Sequence, residues 1–415
     1  MAITRRAFMQ GGAMAAIGTA ALPGFITRAA YGLDLGAATR NKRLVVIFQR
    51  GAADGLNIVV PHGERSYYSM RPSINIPRDS VIDLDGMFGL HPSMSALKPI
   101  WDQRHLAIVH AAGSPDPTRS HFDAQDFMES GTPGLKSTED GWLNRAIRTE
   151  KTKSETPFRA VALGTSLPRI LAGSAPAVAI SNVNQFGVGG RNAAAQPLAN
   201  TFEAMYDQSV DSVLHGTGQE TFDAVKMLKS ADPSKYTPAV GANYPRGRFG
   251  DALRQTAQLI KANLGVQVAF TDIGGWDHHV NEGSTQGQIA NILRDFSQSI
   301  AAFWTDLGTL AEDTVIVTMS EFGRTARENG NRGTDHGHAN VMFVLGGPVR
   351  GGHVYGQWPG LAPEQLYEGR DLAVTTDFRR VVGEMVYAHL GNRNLSAVFP
   401  EFENSPGRFL KILGS

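Results

Sequence analysis

Cysteine is absent from all 415 residues. That excludes disulfides, thiolate metal ligands and a cysteine nucleophile, and leaves the chemistry to oxygen and nitrogen. Net charge is absent too, because Lys+Arg and Asp+Glu both number 39. The global field therefore gives no reason to expect nucleic acid or an anionic membrane as partner. No apolar run makes a stable membrane span; the stretch from Gly11 to about Phe25 is too short and too rich in Gly and Ala. Disorder is excluded by a composition of 42% hydrophobic and 19% charged residues, and the 46 glycines mark a turn-rich globular chain.

What is there begins with Thr4-Arg5-Arg6-Ala7-Phe8-Met9, paired arginines ahead of that weakly apolar stretch. The pattern is similar to a twin-arginine export signal over 1–30, with cleavage expected near Ala29-Ala30. It implies passage through the twin-arginine translocase and a periplasmic or extracellular place of work.

Beyond it, short apolar runs at Leu44–Phe48, Leu106–His110, Phe158–Leu163, Ala177–Ser181, Val266–Thr271, Thr314–Met319 and Val341–Leu345 read as buried strands. Leu253, Ala257, Ile260 and Leu264 mark one helix face, and Ile289 to Leu307 a longer one. Phe378, Val381, Val382, Met385 and Val386 line a late helix. Strands alternating with helices predict an α/β fold over 41–415, its mostly parallel sheet covered on both faces. The polar stretch 183–245 reads as an insertion or cap.

Ligand-type side chains gather in three knots, each just after an apolar run. These are Asp277-His278-His279, Ser320-Glu321-Phe-Gly-Arg324, and Asp335-His336-Gly-His338. Imidazole beside carboxylate is what a divalent cation binds. In open parallel sheets ligands bind at the carboxyl ends of strands, so Asp54, Ser120, Asp277 and Glu321, each after a separate predicted strand, can share one rim. His278 and His279 are neighbours, so one of them is expected to pack or to support the other. His121, His110 and His62 read as structural or exposed.

The motifs Arg50-Gly-Ala-Ala-Asp54-Gly-Leu-Asn, Arg119-Ser120-His121-Phe-Asp123-Ala-Gln, Gly275-Trp-Asp277-His-His279, Ser320-Glu321-Phe-Gly-Arg324-Thr and Gly333-Thr-Asp335-His336-Gly-His338 stand in this order. Over about 43–390 their series resembles the DUF1501 proteins of the alkaline phosphatase/sulfatase superfamily. The resemblance implies an alkaline-phosphatase-like sandwich and one or two divalent ions, zinc first, with manganese, calcium or magnesium as alternatives. It implies Asp54, Asp277, His279, Glu321, Asp335, His336 and His338 as metal ligands. Ser120 would be the nucleophile at a helix N-terminus, with Ser114 and Thr118 as secondary candidates, and Arg324 would bind the substrate anion. The activity implied is hydrolysis of small phosphate or sulfate esters. A binding or partner protein of the cell envelope, keeping the fold without catalysis, is the alternative. The sequence departs from the superfamily at Glu321, which no histidine follows, and at Ser114, one residue too far from Pro117 for a sulfatase signature.

Overall fold

A computed structural model describes residues 42–150, 156–185, 227–228 and 235–414. The export segment and most of the 183–245 insertion lie outside the described residues. Twelve strands are described: β1 (Arg43–Arg50), β2 (Val59–Val60), β3 (Ile82–Asp83), β4 (Gly89–Leu90), β5 (Leu106–Gly113), β6 (Ala160–Leu163), β7 (Val178–Ile180), β8 (Val268–Gly274), β9 (Thr314–Ser320), β10 (Asn340–Gly346), β11 (His353–Tyr355) and β12 (Thr376–Asp377). Nine form one sheet in the order β11-β5-β10-β9-β1-β8-β6-β7, with β12 on β5, while β2, β4 and β3 make a small second sheet.

The large sheet is α/β and mostly parallel. β1 pairs parallel with β8 and β9, and β6 pairs parallel with β7 and β8. β1 is buried on both faces, which is why it reads as an unbroken apolar run. Val45 and Ile47 enter one core with the helices Arg248–Lys261 and Gln288–Leu307. Leu44, Val46 and Phe48 enter the other with the helices Trp142–Arg148 and Phe378–Glu384.

β10 is the exception, running antiparallel to both β5 and β9. Its first residue, Asn340, stands opposite Ala112 near the end of β5. Residues that precede β10 therefore lie on the same rim as residues that follow β1, β5, β8 and β9. Among the described residues no helix is long and apolar enough to cross a membrane.

Several boundaries differ from the sequence reading, two of them for a plain reason. The helix from Arg248 stops at Lys261 because Asn263 and Gly265 take positive φ, so Leu264 is buried from a loop. β8 runs on to Gly274, since Asp272 and Gly274 stay in register with Phe48 and Arg50. The late helix also changes character, passing into a π-helix over Met385–His389.

Candidate metal centre

Four connections meet at the rim. The turn after β1 passes so close to Asp277 that a Cβ on Gly51, at φ +115°, would sit 2.9 Å from the Asp277 nitrogen. Glycine is required there. The connection from β9 to β10, residues 321–339, folds back on itself. Arg324 and His336 form an isolated antiparallel bridge, with Thr325 N donating to Asp335 O at 2.9 Å and Gly337 N to Gly323 O at 2.8 Å. A Cβ on Gly337 would fall 2.3 Å from the Arg324 carbonyl carbon. Arg324 and His336, twelve positions apart by their numbers, are thus held side by side.

Ser120 caps the helix His121–Ser130, its Oγ accepting the Asp123 N–H at 3.4 Å. His121 is the first residue of that helix and points at the same place. Among the described residues one group has ligand atoms all within 4.8 Å of one another: His121, Asp277 and His336. His279 adjoins it, with Nε2 3.0 Å from His336 Nε2 and 3.0 Å from Asp277 Oδ1.

The orientation of the three imidazoles is the informative part. His121 Nδ1 lies 2.8 Å from Glu321 Oε1, His279 Nδ1 lies 3.0 Å from Asp335 Oδ1, and His336 Nδ1 lies 2.9 Å from the Arg119 carbonyl. Carboxylates and carbonyls only accept, so each Nδ1 carries a proton, and a ring with that tautomer turns its Nε2 lone pair inward. His121 Nε2 and His279 Nε2 both lie 3.0 Å from His336 Nε2. The Asp277 oxygens stand 3.4 Å from His336 and 3.6 Å from His121. Lone pairs this close repel unless a positive charge sits among them. The His121 and His336 nitrogens and the Asp277 carboxylate, with His279 adjoining and each imidazole braced through its far nitrogen, suit a divalent ion.

Asp277 is open to solvent, its side chain 46% exposed, while Arg324 beside it is buried. Arg324 donates from Nε to Ala52 O at 2.7 Å, from Nη1 to Thr334 O at 3.1 Å, and from Nη2 to Gly51 O at 2.8 Å and to the Asp277 carboxylate. Burial would raise the Asp277 carboxyl, but Arg324 holds it below its ordinary value. At His121 the hydrogen bond to Glu321 raises the imidazole. At His336 burial lowers it.

The comparisons with known proteins bear on the whole chain. A family described as "Protein of unknown function (DUF1501)" matches residues 41–393. The chain belongs to the DUF1501 family. No curated protein matches it. Among solved structures, this DUF1501 chain is similar to the PsFucS1 sulfatase from Pseudoalteromonas sp., at 10% identity over 95% of this chain and 75% of that one, with TM-score 0.35. It is similar to the phosphonate monoester hydrolase of Agrobacterium radiobacter, at 11% identity over 89% and 78%, with TM-score 0.33. It is also similar to the C-terminal periplasmic domain of EcEptC from Escherichia coli in complex with Zn, at 9% identity over 74% and 73%, with TM-score 0.34. Likenesses of this size carry no residue-by-residue correspondence.

Within this DUF1501 chain the residues expected as ligands divide into groups. Asp277, His279 and His336 meet with His121, which sequence reasoning had passed over as structural or exposed. Its only signal was its place directly after Ser120 at a helix start. Glu321 and Asp335 stand one bond further out, as acceptors for His121 and His279. Glu321 also accepts from Gly51 N at 2.8 Å, Gln125 Nε2 at 2.9 Å and Ser320 Oγ at 3.1 Å. His338 lies apart, its Nε2 3.1 Å from the Ser114 carbonyl and its ring centroid 4.6 Å from that of Tyr367. His278 is buried away from the cluster.

Asp54 lies behind the rim in a buried ion pair. Both its oxygens take hydrogen bonds from Arg71, whose side chain is 0% exposed. Glu282, also 0% exposed, completes a trio of two carboxyls and one guanidinium. Burial and then the Asp54 charge push Glu282 well above its ordinary value. Burial would raise Asp54 too, but Arg71 brings it below. The folded chain thus keeps a proton on Glu282 that the unfolded chain loses near pH ~4.3. Stability from this group is full below that pH and falls as pH rises toward the folded value. The slope is about 1.4 kcal/mol per pH unit while only the folded form holds the proton. Glu282→Gln, which keeps the shape of the protonated acid, is expected to remove this slope. Urea midpoints at pH 5 and pH 8 should show the variant gaining on wild type at the higher pH; a constant difference would show Glu282 ionised in both states.

Proposed function

We propose that this DUF1501 chain is an exported metal-dependent hydrolase of small phosphate or sulfate esters, on an alkaline-phosphatase-like α/β sandwich. The observation that supports it most is the convergence of His121, His279 and His336 Nε2 with the Asp277 carboxylate on a solvent-open rim. The donor set favours zinc over manganese, calcium and magnesium, which prefer oxygen ligands. A divalent ion held there would act as a Lewis acid toward an ester oxygen. The remaining roles fall to the chain itself. Glu321, Asp335 and the Arg119 carbonyl hold the imidazoles in one tautomer, and Arg324 fixes Asp277 through the backbone of two loops. Ser120 offers its hydroxyl as nucleophile beside His121, where the N–H groups of a ten-residue helix favour an anion.

One observation favours the second reading, a cell-envelope binding protein that keeps the ion without catalysis. The arginines at the rim donate to the protein itself: Arg324 as above, Arg119 to Glu368 and Asp371, and Arg370 to Asp371 and the His336 carbonyl. Assay of aryl phosphates, phosphodiesters and aryl sulfates separates the two. Metal-loaded wild type is expected to cleave at least one class. Ser120→Asn keeps a capping side chain but no hydroxyl, and should lose activity on the order of a thousandfold or more. Undiminished turnover in Ser120→Asn would leave Ser120 as a helix cap, and no turnover by wild type in any class would leave the binding protein.

A further inference from the structure

Asp54 was expected to bind metal, yet its surroundings do not fit a second divalent ion. Asp54 is 2% exposed and Arg71 and Glu282 are 0% exposed, so all three lie in the interior. Arg71 Nη2 donates to Asp54 Oδ1 and to the Thr325 carbonyl, each at 2.9 Å, while Nη1 donates to Asp54 Oδ2. Arg71 Nε donates to the Ala326 carbonyl at 2.9 Å. The guanidinium is therefore held from two sides, by the carboxylate and by the backbone just beyond Arg324. Its charge cannot be removed by losing a proton. Glu282 Oε2 accepts from Thr334 Oγ1 at 2.9 Å, and Oε1 meets no donor. The Glu282 carboxyl also meets Asp54, and two buried carboxyls in contact share a proton rather than both ionising. One guanidinium, one carboxylate and one neutral carboxyl leave no net charge to balance a further cation.

We infer that Arg71 is the permanent cation of the Asp54–Glu282 pocket, closing it to metal, so that the chain holds a single divalent ion at His121, His279, His336 and Asp277. The count of one rests on the centre proposed above; the closure of Asp54 rests on the Arg71 geometry. Arg71 is a positioning residue, tying the turn after β1 to the 321–339 connection from behind the ion.

Equilibrium dialysis of the full chain against Zn²⁺, followed by elemental analysis, tests both parts. Wild type should hold one ion, and Asp54→Asn should hold the same number as wild type. Two ions in wild type, or loss of an ion in Asp54→Asn, would overturn the closed pocket. No ion in either protein would remove the proposed centre while agreeing with closure at Asp54. Arg71→Ala uncovers two carboxyls, and when folded by circular dichroism it should hold one Zn²⁺ more than wild type. A folded Arg71→Ala with unchanged content would overturn Arg71 as the group that excludes the ion. Should Arg71→Ala not fold, the wild-type and Asp54→Asn counts still decide.

Discussion

Chelation of the Zn²⁺-loaded chain is expected to release an ion and lower the melting temperature by on the order of 5 °C. The estimate follows from linkage. An ion present at about a thousand times its dissociation constant adds about 4 kcal/mol to a fold that alone can bind it. A domain of this size converts that into several degrees. The chain without its ion leaves the His121 and His279 lone pairs each 3.0 Å from that of His336, with the Asp277 carboxylate 3.0 to 3.6 Å from the three rings, so the loss should be larger than for an adventitious surface ion. Ligands and supporting groups should also separate. His336→Ala removes the nitrogen that both other imidazoles face and should abolish stoichiometric binding. Glu321→Ala keeps the proposed ligands but removes the acceptor shared by His121, Gly51 N, Gln125 Nε2 and Ser320 Oγ, and should weaken binding about 10- to 100-fold. Titration calorimetry with Zn²⁺ on the apo proteins measures the order. Equal affinities for wild type and His336→Ala would end the case for this centre.

Arg71→Met is expected to cost about 3–5 kcal/mol, measured by urea denaturation in the presence of chelator. The substitution keeps most of the volume but strands Asp54, which would then be a buried carboxylate beside a second buried carboxyl. The cost of a buried ion pair appears when one partner is removed, not when both are. Asp54→Asn combined with Arg71→Met should therefore recover much of the loss, giving a coupling well outside the additivity of distant sites. Full additivity of the two changes would show that the pair is not mutually dependent. Adding Zn²⁺ to the single variant gives a second readout, because an ion entering the vacated place would restore part of the stability.

Much of this molecule was legible before any coordinates. Apolar runs such as Leu44–Phe48 and Thr314–Met319 became central strands because a strand buried on both faces must be apolar throughout. Asp277, His279 and His336 could be placed on one rim because each borders such a run. What stayed hidden was of two kinds. The direction of β10 could not be read, since Val341–Leu345 is equally apolar in either sense. Partners were hidden as well. Nothing local in Arg71 tells that it pairs with Asp54, and nothing in Glu321 tells that it braces His121, 200 positions away. The carboxylates were recognised as polar groups with work to do, and only packing separates Asp277, which faces the imidazole cluster, from Glu321 and Asp335, which brace its rings.

The reversed strand has a consequence in time as well as space. β10 sits between β5 and β9 in the sheet, pairing Phe343 with Ile108 and Val344 with Val317. His121 and His336 are 215 positions apart, and β10 takes its place between β9, made just before it, and β5, made much earlier. Contacts of such separation form slowly, after the loops between them have closed. A nascent chain that ends before residue 340 thus lacks the strand that brings the imidazoles together. Capture of the ion would follow the insertion of β10, before or while β11 and β12 add to β5.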